Sequence, residues 1–309
     1  MTAVASILSR VVGDQDPDAV ERPSQGNHKE TAVAHYATHP SVVVQTTPEA
    51  CTARTEAAVL TAISERTTIP VPRLLGSGRR GEEGYLVTEY VAGDDLHERF
   101  AALDDASQRR LARRFGRALG ELHASFAFGT AGPVTVDETG TLTATGPDPA
   151  DFFEQYAREG VGALPHAFDS LRPDIESALA DHQPVSGTAR YFPWDLRPGN
   201  ALVDGDELAA ILDWGQPLAA HPALAVATVQ HLVATWYAED PSTLRRAVRA
   251  GYESVRPLPD VSVADRVAAI VCSAVDSAGT VTRPRYPELT GDDAVAVHRE
   301  WLAEWLCGR

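Results

Sequence analysis

The 309-residue chain carries 43 acidic against 27 basic side chains, for a formal charge of −16 and a pI of about 5.0, which argues against a nucleic-acid backbone as partner. Its 44% hydrophobic content is that of an ordinary soluble globular protein, and no run of about 18 apolar residues reads as a membrane span. The start lacks the basic lead and small-residue cleavage site of a signal peptide, and Cys51, Cys272 and Cys307 lie too far apart for a disulfide framework or zinc site, which fits a reducing cytoplasm. Lys29 is the only lysine; every other basic side chain is arginine. Excess acid with almost no lysine fits a halophile-like, high-salt cytosol, and a GC-rich genome would give the same replacement.

In chain order, Ala3 to Leu8 opens a short helix. A polar turn, Ser24-Gln-Gly-Asn-His-Lys29, precedes an alternating strand-like run, Thr31 to Tyr36, and Val42-Val-Val44 is a compact buried strand leading to Gln45. Thr52 to Ser64 has helical spacing, with Ala53, Ala57, Leu60 and Ser64 near one face and Glu56 inside it. Ile69-Pro-Val-Pro72 ends that helix. Tyr85 to Val91 is a further strand, and Gly93 permits a sharp bend, so residues 89–93 read as a hinge. Beyond it the chain is largely helical. Leu111, Phe115, Leu119, Leu122 and Phe126 recur at three- and four-residue spacing, and His123 at the end of that helix reads as structural. Val134 to Thr143 is a hairpin through Gly140. Further helices are expected over 151–159, 171–182, 223–237, 244–255, 263–277 and 292–306. There is no internal repeat and no heptad run. The length suits one large domain or two lobes.

The chemistry-bearing segment is Asp195-Leu-Arg-Pro-Gly-Asn200 and, after a short hairpin, Asp213-Trp-Gly215. Ala201 to Val203 and Leu208 to Leu212 flank Asp204-Gly205-Asp206, a tight-turn signal. Folding the hairpin brings Asn200 and Asp213 together at its open end, where they offer two oxygens to a hard cation such as Mg²⁺, with nucleotide phosphates completing the shell. Asp195, just upstream, can accept a proton from an attacking hydroxyl. Singly, each piece is an ordinary turn or cap. Jointly, the order and spacing are those of a kinase catalytic loop and its metal-binding Asp.

The segments Trp194 to Val203 and Ile211-Leu-Asp-Trp-Gly215 resemble the catalytic core of the aminoglycoside phosphotransferase family, small-molecule kinases related to choline kinase. The resemblance implies an α+β, two-lobed protein-kinase-like fold. Its small N-lobe with an antiparallel sheet would cover residues 1–91, and its larger, mainly helical C-lobe residues 92–309. It also implies ATP (or GTP) and Mg²⁺, Asp195 as catalytic base, Asn200 and Asp213 as metal ligands, and the backbone of Glu89, Tyr90 and Val91 against the adenine edge. Arg197 would contact the transferred phosphoryl group or form a salt bridge within the loop. The acceptor, a small-molecule hydroxyl, would lie in the C-lobe after residue 220; neither nucleic acid nor membrane is implied as a partner.

Three departures stand out. Pro193 and Trp194 replace the His-Gly that usually precedes the catalytic Asp. The strand expected to present a lysine to the phosphates ends in Gln45, so that Glu56, the helix carboxylate that normally pairs with that lysine, would face a neutral amide; this would roughly halve the hydrogen-bond strength. Lys29, in the turn with Gly26 that resembles the family's nucleotide loop, could compensate, or could be a solvated turn residue. Finally, the run after His221 lacks the acids that tie down the catalytic loop. These departures motivate the alternative of a nucleotide-binding pseudokinase with a regulatory role.

Overall fold

The computed structural model describes residues 3–23, 29–183, 187–283, 285 and 287–307; Gly26 lies outside the described residues. The chain opens with helix α1 (Ala3–Val11), strands β1 (Ala19–Glu21), β2 (Glu30–His35) and β3 (Val42–Thr47), helix α2 (Ala50–Arg66), and strands β4 (Leu74–Arg80) and β5 (Glu83–Glu89). The strands form one antiparallel sheet in the order β1-β2-β3-β5-β4. Strand alternation assigns its two faces. Ala34, Val42, Val44, Tyr85 and Val87 bury on one face with Ile7 and Leu8 of α1. The register pairs Thr31 with Gln45 and Gln45 with Leu86, so these three share the opposite face, where Leu86 joins the core of Leu60 and Ile63 from α2.

Strand β4 was not expected, because Leu74-Leu-Gly-Ser-Gly-Arg-Arg80 has the composition of a loop. Its glycines answer to space. A Cβ on Gly76 would lie 2.9 Å from Val11 Cγ1, and one on Gly78 2.5 Å from Tyr85 Oη.

The chain leaves the sheet at Glu89 and enters the larger lobe at β6 (Asp94–Asp95), followed by α3 (Leu96–Arg99) and the long α4 (Asp105–Ser125). Next come β7 (Ala127–Phe128), β8 (Gly132–Val136), β9 (Leu142–Ala144), α5 (Pro149–Ala163), α6 (Arg172–Ala180) and β10 (Ala189–Phe192). After these lie β11 (Ala201–Asp204), β12 (Glu207–Ile211), β13 (Leu218–Ala220), α7 (Pro222–Gln230), a π-helical turn over His231–Thr235, and α8 (Ser242–Glu253). The chain ends with α9 (Val263–Ser273), the two-residue strands β14 (Thr282–Arg283) and β15 (Leu289–Thr290), and α10 (Gly291–Leu306).

Gly93 does not bend the hinge through a left-handed conformation, as its φ is not positive. It allows close approach instead: a Cβ there would lie 2.9 Å from the Val203 carbonyl oxygen, beside the pairing of β6 with β11. In α4, Leu111, Phe115, Leu119 and Leu122 are all buried, and the Asp104 carboxylate caps the helix by accepting from the Ser107 N–H. Two glycines set its packing against α8. A Cβ on Gly116 would fall 1.9 Å from the Val248 carbonyl oxygen, and one on Gly251 2.0 Å from that of Arg113. His123 is fully buried, its Nδ1 2.9 Å from the Tyr252 hydroxyl. Among the described residues, no helix is long and apolar enough to cross a membrane.

Candidate active site

The hairpin β11–β12 pairs Asp204 with Glu207 and Ala201 with Ile211. Gly205 takes the first loop position with φ +60°, a conformation that costs glycine little. The Leu212 N–H donates to the Asn200 carbonyl at 2.7 Å, so the ladder runs to its open end and leaves Asn200 and Asp213 flanking it. Asp213 itself lies at φ +56°, a left-handed backbone that Asp tolerates better than most residues.

Asn200 faces back onto the loop before it. Its Nδ2 donates to the Asp195 carbonyl at 2.9 Å and to Asp195 Oδ2 at 2.7 Å, leaving Oδ1 without a partner among the described residues. Asp195 Oδ1 accepts from Arg197 Nε at 2.6 Å.

Lys29 sits immediately before β2. By strand parity it lies on the same sheet face as Thr31 and Gln45, the face toward α2. Its Nζ is 2.7 Å from Glu56 Oε1 and 2.8 Å from Asp213 Oδ1. The side chain is 14% exposed, against 4% for Glu56 and 55% for Asp213. Burial lowers the Lys29 pKa, but the two carboxylates outweigh it and the net shift is upward, so the ammonium form is held. Burial drives the Glu56 pKa up, opposed by Lys29 and by a hydrogen bond from the Trp214 backbone. The expectation that Glu56 would face only a neutral amide is therefore corrected: its partner is Lys29. Gln45 makes no side-chain hydrogen bond with any described residue. Gly215 gives this pair room, since a Cβ there would meet Lys29 Nζ at 3.2 Å and Glu56 Oε2 at 3.4 Å.

Arg197 is held from several sides. Besides Asp195, it is within electrostatic reach of the Tyr237 hydroxyl and lies over the Trp236 ring, 5.8 Å from its centroid. Gly199 makes space for it, as a Cβ there would fall 2.0 Å from Arg197 Nη1. Tyr237 in turn is 3.1 Å from His97 Nδ1. The tie-down that the run after His221 lacks is thus supplied by Trp236 and Tyr237, just past the π-helical turn. His221 has another task, capping α7 through Nδ1 and the Ala223 N–H. Trp194 braces the loop as well, its Nε1–H donating to the Gln216 carbonyl at 3.0 Å.

At the hinge, the Glu89 N–H donates to the Arg73 carbonyl and the Tyr90 N–H to that of Ser41, each at 2.9 Å. The Glu89 carboxylate pairs with Arg73, and the exposed Tyr90 ring packs edge-on to His35. Of the three hinge N–H groups, Val91's alone has no acceptor among the described residues.

A family model for phosphotransferase enzymes matches residues 20–263, which takes in both the Lys29–Glu56 pair and the loop and hairpin of Asp195, Asn200 and Asp213. The chain belongs to the phosphotransferase enzyme family. Its class is therefore that of a phosphotransferase. No curated protein sequence matches the phosphotransferase. Among solved structures it is similar to a thermostable variant of aminoglycoside phosphotransferase APH(4)-Ia in complex with AMP-PNP and hygromycin B. That match has 14% identity and a TM-score of 0.65, covering 99% of this chain and 98% of the other. A Ralstonia eutropha protein provisionally assigned as an aminoglycoside phosphotransferase matches with 15% identity and a TM-score of 0.64 over 99% and 96% of the two chains. The GDP complex of aminoglycoside 2'-phosphotransferase-IIIa matches with 16% identity and a TM-score of 0.56 over 99% and 97%. At these identities the likeness shows the fold, and the fold is the two-lobed, protein-kinase-like one expected from the loop and hairpin motif.

In this phosphotransferase the sequence reading missed Trp236, Tyr237 and His97. No local signal marks them, since His97 and Tyr237 lie 140 positions apart and meet only through the tertiary fold.

Proposed function

We propose that this phosphotransferase transfers the γ-phosphoryl group of ATP to a small-molecule hydroxyl with Asp195 as base, Lys29 as the phosphate-facing cation, and Mg²⁺ held by Asn200 and Asp213. GTP is the alternative donor. The observation that carries this reading is the Lys29 ammonium bridging Glu56 and Asp213. It supplies, from the residue before β2, the charge that Gln45 on β3 does not. This answers one motive for a pseudokinase reading, the Gln45 that stands where a lysine is expected.

The donor set fits a hard divalent cation. Asn200 spends its amide N–H groups on Asp195, which keeps its carbonyl oxygen available, and Asp213 gives one carboxylate oxygen to Lys29 and retains the other. Two protein oxygens plus phosphates and water suit Mg²⁺, which when bound would neutralise charge on the phosphates. The remaining work falls to the chain's own groups. Asp195, oriented by Arg197 and Asn200, accepts the acceptor's proton as that oxygen attacks the γ-phosphorus. The bond from the γ-phosphorus to the bridging oxygen breaks, and ADP leaves. Lys29 faces the negative charge on the phosphates. The Val91 N–H is placed to meet the adenine edge, with Glu89 and Tyr90 fixing that strand end. Arg197 acts through Asp195, as a positioning residue.

We divide the lobes at 91/92, where the chain passes from the N-lobe sheet toward the β6–β11 pairing. The free cysteines Cys51, Cys272 and Cys307 support a reducing cytoplasm, and the acid-rich, lysine-poor composition supports a high-salt one.

Asp195→Asn tests the reading. It keeps size and much of the hydrogen bonding but removes the proton acceptor, so turnover should fall about 100-fold or more while Mg·ATP binding is spared. Turnover near that of the parent would leave Asp195 a structural loop residue.

A further inference from the structure

We infer that the acceptor of this kinase is an anion, a hydroxyl compound bearing a carboxylate or phosphate group that is seated by Arg283 and Arg285. The inference rests on the phosphotransferase reading above and assigns the acceptor's charge.

A chain of polar contacts leads from the base to these arginines. Asp195 holds Arg197 at 2.6 Å, Arg197 is within electrostatic reach of Tyr237, and Tyr237 lies 3.1 Å from His97 Nδ1. His97 Nε2 lies 3.4 Å from Glu288, the residue before β15. These contacts link the β14–β15 hairpin to the catalytic loop. Arg283, on β14, is within electrostatic reach of Tyr237 and of Arg285.

Among the described residues the two guanidinium groups have no acidic partner. Arg283 is only 8% exposed; among the described residues its Nε has no hydrogen-bond partner, and its bond from Nη2 to the Pro287 carbonyl is long at 3.4 Å. Arg285 is half-buried, and its Nε is also buried without a partner among the described residues. Among the described residues no carboxylate lies within ion-pair distance of either. The acids around His97 and Arg197 are engaged there: Asp95 caps α3 through the His97 N–H, Glu288 faces His97, and Asp195 is bound by Arg197 and Asn200. In a chain with 16 more acidic than basic side chains, several arginines are matched, as in Arg110–Asp206, Arg114–Glu207 and Arg245–Glu304, while Arg249 shares the buried, unpartnered Nε of Arg283 and Arg285. Leaving two adjacent ones unmatched and drawn out of water is costly. Burial and repulsion from Arg285 push the Arg283 pKa below its ordinary value. A carboxylate or phosphate, which guanidinium binds in a two-pronged fashion, would relieve both. A polycation would bring the wrong sign of charge to this surface.

The test uses the full chain with Mg·ATP, measuring ADP release against three groups of acceptors. The anions are gluconate and glycerate as carboxylates, and glucose 6-phosphate and glycerol 3-phosphate as phosphate esters. The neutral parents are glucose and glycerol, and kanamycin serves as the polycation. The inference expects turnover with an anionic member well above its neutral parent; which anionic arm responds identifies the group recognised. Arg285→Gln and Arg283→Gln should each raise the KM for that acceptor about tenfold or more, the effect of losing a charge-assisted hydrogen bond. Mg·ATP affinity by calorimetry should not change, and Arg285→Lys should recover part of the loss. Arg285 is the less buried of the two, so its variant stands if Arg283→Gln misfolds. Turnover with neutral or cationic acceptors but no anion, or turnover with no member at all while Mg·ATP binds, overturns the inference. Anion turnover unchanged in Arg285→Gln overturns it too. Absence of Mg·ATP binding in the parent chain is a separate result that sinks the kinase reading itself.

Discussion

Replacing Lys29 by Ala removes the only ε-amine in the chain and has two separable consequences. The first is on the nucleotide. A charge-assisted hydrogen bond to phosphate contributes about 1.5–3 kcal/mol, so Mg·ATP affinity should fall about 10- to 150-fold. The second is on the fold. Glu56 is 4% exposed and would lose the one side-chain partner it has among the described residues. Breaking a buried ion pair from one side costs about 3–5 kcal/mol, and Lys29's own 14% exposure places the loss at the lower end of that range. Adding Glu56→Gln removes the orphaned charge, so the double variant should recover most of the stability while nucleotide affinity stays low. Urea unfolding and calorimetric titration with a non-hydrolysable ATP analogue separate the two. Gln45→Lys in the Lys29→Ala background places an amine on the same sheet face and should recover part of the nucleotide affinity. If Lys29→Ala binds the analogue as tightly as the parent, the ion pair is a structural feature and the relocated-cation argument fails.

Three further outcomes follow from the same geometry. Asp213→Ala should abolish most Mg²⁺-dependent nucleotide affinity with the fold intact by circular dichroism; equal affinity with and without Mg²⁺ in both proteins would contradict the metal assignment. Gly199→Ala should displace the Arg197 guanidinium, because the new methyl would fall 2.0 Å from Nη1. The expected result is lower kcat with unchanged Mg·ATP affinity, and an unchanged kcat would show that Arg197 does not hold Asp195 in place. Burial keeps His123, His231 and His298 neutral, with pKa values pushed down to about 3 for His123, well below normal for His231 and to about 4 for His298. Their folded-state pKa values are depressed, so their stabilising effect is complete above about pH 6.5 and erodes as the unfolded chain takes up protons below it, by about 2 kcal/mol per histidine between pH 6.5 and 5. Urea unfolding at pH 7.5 and 5 should show the decline, and His123→Asn should reduce it; a flat profile would mean these rings are protonated in the fold.

The loop and hairpin were legible because everything that places Asn200 and Asp213 is local: two short apolar runs, one Asp-Gly turn, fourteen residues from end to end. The main helices were legible for the same reason, as in the apolar spacing of α4. What joins distant segments was not. Lys29 meets Glu56 across 27 positions and Asp213 across 184. The alternation of Ala32 and Ala34 against Thr31 and Val33 carried the parity that places Lys29 on the inner face, but only the register with β3 makes that parity usable. Gly116 and Gly251 gave no sign of their role, because a helical glycine reads as a weak point until the facing helix is seen to need the space. The acceptor side was the least legible: Tyr237 reaches Arg197 past a π-helical turn, which no spacing rule anticipates, and the isolation of Arg283 and Arg285 shows only once every neighbouring carboxylate has been assigned a partner.

The single lysine makes the central claim directly measurable. An ATP acyl-phosphate delivers its acyl group to an amine lying beside the bound phosphates, and no other lysine in this chain can compete. Peptide mapping by mass spectrometry after reaction in Mg²⁺ buffer should find the label on Lys29, and excess ATP should suppress it. An unlabelled Lys29 under conditions where calorimetry shows the nucleotide bound would contradict the account.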